Sequence, residues 1–286
     1  MSDCKHPAQA AHAPKLPEAA GGESSVKSQA KHRVGLYGGA FDPPHFAHMA
    51  LARAAVEQLG LDVLYIIPTG QPWMKQRRLM PAAHRLAMAQ LAFAGLPCVQ
   101  VDDCELRRSG ITYTIDTLRE LQARPAHAGQ PTDWFLIMGE DLLHTLPQWQ
   151  RAEDLLREVT AAVLPRTTES GQEQAGCCGT SQAGSDLHMD VAASAATCAA
   201  ASPQPQQTLH APAGVRAVPL HLPASTAQAV SGISATRIRN GLQARAALAP
   251  QERLAWLQSL VPPAVAQYIE AHQLYSTPQA PTSHAH

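Results

Sequence analysis

Nowhere in the 286 residues is there a run of about eighteen uninterrupted apolar residues, the length a helix needs to cross a bilayer. The first thirty residues, where Lys5, Glu18, Glu23 and Lys27 stand among several Pro, Gly and Ser, contain no apolar core of about 7–15 residues such as a secretory signal uses. A soluble protein is expected. Neither sign of charge is in excess: 22 Lys and Arg against 23 Asp and Glu give a formal charge of −1 and a pI near 6.9. With no overall pull toward nucleic acid or membrane, neither is expected as a partner, and any anion must be held by a local cluster. The six cysteines (Cys4, Cys98, Cys104, Cys177, Cys178 and Cys198) form no C-x-x-C pair, and three fall in a stretch ill suited to folding. That argues against a disulfide framework and against a zinc site, and it fits a reducing cytoplasm. Neither G-x-x-x-x-G-K-[ST] nor, among Gly35, Gly38 and Gly39, G-x-G-x-x-G is present.

Large apolar side chains are also scarce in two segments, residues 1–31 and about 167–213, which are dominated by Ala, Ser, Gln, Gly, Thr and Pro. Little apolar area is available there to offset the entropy of ordering, so the expectation is a disordered tail and a disordered surface insertion, with 277–286 a second tail. The remainder, 32–276 interrupted by that insertion, reads as one domain. Strands are expected at 33–38, 61–68, 98–103, 133–139, 159–165 and 215–220. Helices are expected at 46–60, 82–95, 114–124, 147–158, 234–243, 252–260 and 263–275. In the first helix Phe46, Met49, Ala50 and Ala54 share a face, and Gly60 stops it. Continuous apolar strands alternating with amphipathic helices describe an α/β fold: a Rossmann-like, doubly wound parallel sheet, finished by C-terminal helices. Ligands of such sheets sit beyond the carboxyl ends of the strands, where strand order reverses.

The segment GLYGGAFDPPHFAH, 35–48, follows the first strand and therefore stands where a ligand belongs. Gly38 and Gly39, lacking Cβ, let a ligand approach the main chain, and Pro43-Pro44 stiffen the loop around that space. His45 and His48, three apart at the start of the next helix, put both imidazoles on one side, beside backbone N–H groups that favour phosphate oxygens. Two plainer readings stand beside this one: an ordinary Gly- and Pro-rich turn with solvated histidines, and an H-x-x-H metal pair, for which no third ligand stands at a suitable spacing.

GGAFDPPHFAH resembles the G-x-F-D-P-x-H-x-G-H signature of the adenylyl- and cytidylyltransferase superfamily, with Ala47 in place of glycine. GISATRIR, 232–239, is similar to that superfamily's I-S-S-T-x-I-R signature for the triphosphate, with Ala235 in place of the second serine. IIPTGQPWMKQR, LMPAAHRLAMAQLA, ELRRSGITYTIDTL and the run from WFLIMGEDLLHTLPQW to VLPR resemble, in order, the bacterial nicotinate-nucleotide adenylyltransferases, although Trp73 stands where histidine is usual. The resemblance covers about 33–166 and 215–275.

It implies transfer of an adenylyl group from ATP to nicotinate mononucleotide, giving deamido-NAD and pyrophosphate in NAD biosynthesis. His45, His48, Lys75 and Arg239 are implied as the catalytic set. ATP is implied at Gly38, Gly39, Ala40, Phe41, Gly139, Asp141, Ser234 and Thr236, and the mononucleotide at Tyr113, Thr114, Trp149 and Arg166. Mg²⁺ would be held mainly by the phosphates of ATP rather than by a protein cage. Asp141 reads equally as a helix cap and Trp149 as core. The basic pairs Arg77-Arg78 and Arg107-Arg108 read as solvated faces. The alternatives kept open are a nicotinamide-mononucleotide or phosphopantetheine adenylyltransferase and a non-catalytic nucleotide-binding regulator.

Overall fold

The computed structural model describes residues 31–72, 79–165 and 209–276. Arg77-Arg78 and most of the insertion lie outside these, as do the two tails apart from Lys31. The chain opens with β1 (His32–Gly39), α1 (Phe46–Leu59), β2 (Val63–Pro68), β3 (Gln71–Pro72), α2 (Ala82–Phe93) and β4 (Val99–Val101). There follow α3 (Cys104–Arg107), β5 (Ile111–Thr112), α4 (Thr114–Gln122), β6 (Thr132–Gly139) and α5 (Glu140–Leu143). The last part comprises α6 (Ala152–Glu158), β7 (Val159–Leu164), β8 (Ala217–Pro219), α7 (Ala224–Val230), α8 (Ala235–Ala244), α9 (Pro250–Gln258) and α10 (Pro263–Ala271).

The main sheet has six strands in the order β4-β2-β1-β6-β7-β8, every pair parallel. The chain works outward from β1 through β2 to β4, then returns to place β6 on the other side of β1, so strand order reverses between β1 and β6. Alternation along the strands feeds two apolar layers. Leu64 and Ile66 of β2 join α1, α2, α8, α9 and α10 on one face. Val34 and Leu36 of β1, with Val63, Tyr65 and Ile67 of β2, join α4 and α6 on the other. Fully burying one such Leu or Ile contributes roughly 1.5–3 kcal/mol, which is why near-continuous apolar strands require cover on both sides. Gly35 belongs to this packing: a Cβ there would come within 2.7 Å of both Leu61 and Leu64.

Several elements depart from the pattern expectation. The buried positions of α1 are Leu51, Ala52, Ala54, Ala55 and Leu59, whereas Phe46, Met49 and Ala50 are only half-buried. The stripe is displaced because Leu51, Ala55 and Leu59, a Leu-Ala-Leu row four residues apart, offer the larger apolar area to the sheet. The helix expected over 147–158 is broken: a 3-10 turn spans Leu146–Gln148, and α6 begins only after Arg151, whose φ of 51° is left-handed. The last helix stops at Ala271, and Gln273 and Tyr275 are left-handed as well. The short pair β3-β5 and the helices α3, α5 and α7 are too brief for a periodic pattern to mark.

Candidate active site

A cavity of about 600 Å³ opens at the reversal of strand order. Gly38, Gly39, Ala40, Phe41 and Asp42 form one wall at the end of β1, with His48 behind them on α1. Met138, Gly139, Asp141 and Leu142 form a second wall at the end of β6, and Ala235, Thr236 and Arg239 of α8 a third. A Cβ built on Gly38 or on Gly139 meets nothing within 4 Å, so the bare backbone there faces space wide enough for a ligand. Gly39 differs. Its Cβ would lie 3.0–3.3 Å from the ring of Phe41, which is buried against Tyr37, His48 and Phe93. Phe41 reaches that position through a left-handed backbone, φ 45°, which a bulky residue adopts only when its surroundings over-determine it. Its side chain serves the core while its main chain lines the cavity.

The two histidines occupy different environments. His45 is the N-cap residue of α1, with its ring stacked on that of His48 at 3.7 Å between centroids. It is 6% exposed, its Nδ1 has no hydrogen-bond partner, and burial pushes its pKa down to about 4, so it is neutral near pH 7. His45 is not among the residues that line the cavity. His48 is, and its Nδ1 accepts the backbone N–H of His45 at 3.2 Å. In the neutral ring the proton then sits on Nε2, which makes His48 a hydrogen-bond donor toward an anion.

The distant signature segments meet through one guanidinium. Nη1 of Arg239 donates to the backbone oxygen of Asp42 at 2.7 Å, and Nη2 donates to Oγ1 of Thr236 at 3.0 Å. Ser234 caps α8, its hydroxyl accepting the N–H of Arg237 at 3.2 Å. It lines a neighbouring shallow groove, shared with Thr236, beside Gly241, Arg245 and Trp256. There a Cβ on Gly241 would come within 2.3 Å of the Trp256 ring, and the guanidinium of Arg245 lies over that ring, 4.5 Å from its centroid.

Of the residues expected to hold a second substrate, the described ones, Tyr113, Thr114 and Trp149, do not line this cavity. Tyr113 caps α4, Thr114 begins it, and Tyr113 and Trp149 both pack, half-buried, against the apolar layer that contains α4 and α6. Trp149 donates its indole N–H to Thr145 Oγ1 at 3.0 Å. Its turn is tied to α4 by the Arg151–Asp116 ion pair. Lys75 and Arg166 lie outside the described residues, as does Trp73.

Three polar groups that pattern reading passed over prove central. Asp42, 1% exposed, accepts the hydroxyl of Tyr275 on Oδ1 at 2.6 Å and the N–H of Met80 on Oδ2 at 3.4 Å. Arg85, also buried, donates from Nε to the oxygen of Met80 and from Nη1 to that of Ala40, both at 3.0 Å. Arg85 had a readable signal, since it shares the buried face of α2 with Met88, Ala89 and Ala92. An arginine at a core-facing helical position needs polar partners. Tyr275 offered none, because its partner is 233 residues away.

Among the described residues no group of three or more His, Cys, Asp or Glu is arranged to hold a metal ion, and no helix is long and apolar enough to cross a membrane. The cavity's one buried carboxylate, Asp42, is engaged by Tyr275 and Met80, a donor set that fits a cation arriving on a ligand's phosphates rather than one held by the protein.

A family model described as cytidylyltransferase-like matches residues 36–241. Among curated relatives, a probable nicotinate-nucleotide adenylyltransferase of Albidiferax ferrireducens is 51% identical over 49% of this chain and 68% of its own length. One of Methylibium petroleiphilum is 42% identical over 51% of this chain and 66% of its own. One of Pseudomonas putida is 33% identical over 88% of this chain and 99% of its own. Among solved structures, the nicotinic acid mononucleotide adenylyltransferase of Plasmodium falciparum complexed with NaAD aligns with a TM-score of 0.54 at 15% identity, over 85% of this chain and 97% of that one. At that identity the likeness speaks to the fold.

Proposed function

Because the chain belongs to the cytidylyltransferase-like family, we propose that it transfers an adenylyl group from ATP to nicotinate mononucleotide, producing deamido-NAD and pyrophosphate for NAD biosynthesis. The observation that carries the reading is the hydrogen bond from Arg239 to the main chain of Asp42, which closes the two signature segments around one cavity at the switch point of the sheet.

The acceptor's phosphate oxygen is already a nucleophile, so the chain need supply no Ser or Cys. That oxygen attacks the α-phosphorus of ATP, a new P–O bond forms, the bond to the bridging oxygen breaks, and pyrophosphate leaves with the electron pair. Catalysis is then positioning and charge stabilisation. ATP lies over Gly38 and Gly139, whose missing side chains leave room for it, with Ala40 and Phe41 contributing main chain and Asp141 at the sugar end. His48 donates from Nε2 to the phosphate oxygens on which charge develops. Arg239 presents a planar fork to the departing phosphates, assisted by Thr236, by Ser234 and by the free N–H groups at the start of α8. His45, neutral and stacked on His48, supports that ring from within the fold. Mg²⁺, held mainly by the phosphates of ATP rather than by side chains of this protein, would offset part of the phosphate charge.

Lys75 adds a point charge and Arg166 a contact to the mononucleotide on the strength of the family resemblance. Trp149 stacks on the pyridine ring and the main chain at Tyr113 and Thr114 meets its carboxylate. Half-burial of Trp149 and its tether to α4 are compatible with that role. The cytoplasm is the location we infer for it.

The test is pyrophosphate release by the full chain with Mg²⁺, ATP and, in turn, nicotinate mononucleotide, nicotinamide mononucleotide and phosphopantetheine. The acid nucleotide is expected to give the highest kcat/KM. A higher value with either of the others overturns the acceptor, and ATP binding without transfer to any of them overturns the activity.

A further inference from the structure

We propose that Tyr275 is a positioning residue for this reaction: its hydroxyl holds the carboxylate of Asp42 and, through Asp42, the guanidinium of Arg239 at the phosphate end of the cavity. The proposal rests on the adenylyl-transfer reading above and extends it to the segment that follows α10.

After α10 the chain turns back on itself, with the N–H of Leu274 donating to the oxygen of Ile269 at 3.0 Å, so that Leu274 and Tyr275 are both buried. The turn takes two left-handed non-glycine residues, Gln273 at φ 49° and Tyr275 at φ 65°. A tyrosine adopts that conformation only when surrounding contacts over-determine it. Apolar burial alone would be met by phenylalanine. What tyrosine adds is the hydroxyl, which donates to Oδ1 of Asp42 over 2.6 Å, the short distance expected of an O–H bonded to a carboxylate.

Asp42 is the joint of the site. It takes a donor from the chain end on Oδ1, one from Met80 on Oδ2, and one from Arg239 on its main-chain oxygen. Arg85 secures the neighbouring main chain at Ala40 and Met80 from the other side. The carboxylate that Tyr275 holds and the carbonyl that anchors Arg239 belong to one residue, so a shift of the first is carried to the second. Without the Tyr275 hydroxyl, the carboxylate loses a short charge-assisted bond in a buried site, and the change is passed to the anchor of Arg239. Misplacement of a phosphate-binding group by an ångström slows reaction far more than it weakens binding of the distant acceptor.

A bond that merely fastened the chain end would change stability and leave turnover alone, so the two roles separate experimentally. The experiment compares the full-length wild type with Tyr275→Phe, Asp42→Asn and the double variant, in melting temperature and in kcat and KM for ATP and nicotinate mononucleotide. The assays run well below every melting point. Tyr275→Phe is expected to lower kcat about tenfold with KM for the mononucleotide within about twofold of wild type, and to cost nothing further in kcat when added to Asp42→Asn, as residues acting through one another are non-additive. If Asp42→Asn does not fold, Arg239→Lys replaces it in the cycle with the same expectation. A kcat within about twofold of wild type for Tyr275→Phe overturns the proposal, as do losses that simply multiply. So does a Tyr275→Phe chain that fails to fold, since the hydroxyl would then serve stability. An inactive wild type sinks the reading of function, whereas an active wild type with an equally active Tyr275→Phe sinks only the role of Tyr275.

Discussion

The ring of His45 lies stacked on that of His48, 3.7 Å between centroids, and the backbone N–H of His45 fixes the tautomer of His48. One imidazole faces the cavity as a donor and the other supports it as a neutral plate. That asymmetry gives the pair two separate experimental signatures.

His48→Ala is expected to lower kcat by roughly a hundredfold or more, the scale of losing one donor to a developing negative charge, about 3 kcal/mol. Pyrophosphate-release kinetics with both substrates saturating measure it. Turnover within about threefold of wild type removes His48 from the chemistry.

For His45 the signature is pH-dependent stability. Burial lowers its folded pKa from 6.5 to about 4, so between those values the unfolded chain binds a proton that the folded chain refuses. Stability from this group is intact above about pH 6.5, declines as pH falls toward 4 and is flat below, a total of about 3 kcal/mol. Burial depresses His127 in the same direction and steepens the decline. Denaturant unfolding at a series of pH values should show His45→Asn, which keeps a competent N-cap, losing one proton's worth of slope. An unchanged slope refutes the assignment.

Gly38 and Gly39 separate function from packing. Gly38→Ala adds a methyl group that touches no atom of the described residues, so its melting temperature should stay within about 2 °C of wild type while KM for ATP rises about tenfold or more. Gly39→Ala presses on Phe41 at 3.0–3.3 Å and should lose stability. Calorimetry alongside ATP titration reads both, and a Gly38→Ala chain with wild-type KM removes ATP from that wall.

Gly241→Ala acts at a distance. Its methyl group would overlap the indole of Trp256 at 2.3 Å and disturb the stack with Arg245, costing about 1–3 kcal/mol and several degrees of melting temperature. Because α8 also carries Thr236 and Arg239, kcat should fall as well, as paired thermal and kinetic measurements would show.

Much of this molecule was legible before folding. Runs such as VLYIIP and WFLIMG can only be strands covered on both sides, and the glycines closing β1 and β6 announce bare backbone where a ligand sits. The sheet therefore followed from local pattern, whereas the approach of the two signature segments was implied only by the family resemblance. What escaped were features decided by partners far apart in sequence. Nothing near Asp42 announces that it joins Met80, Arg239 and Tyr275, and nothing near His45 says that its ring is buried rather than facing phosphate. The break at Arg151 was hidden because QWQRAEDLL carries a helical pattern across a left-handed residue.

Strands β7 and β8 run side by side in the same direction, so the polypeptide joining them must climb back over the full height of the sheet. A dozen residues suffice for such a return; here about fifty separate Leu164 from Ala217. Since the entropy of closing a loop grows only with the logarithm of its length, two doublings beyond the minimum cost the fold about 1.2 kcal/mol. That outer border of the sheet can gain or shed sequence at small cost, and a chain trimmed there to the shortest workable return should keep its cavity and its melting behaviour.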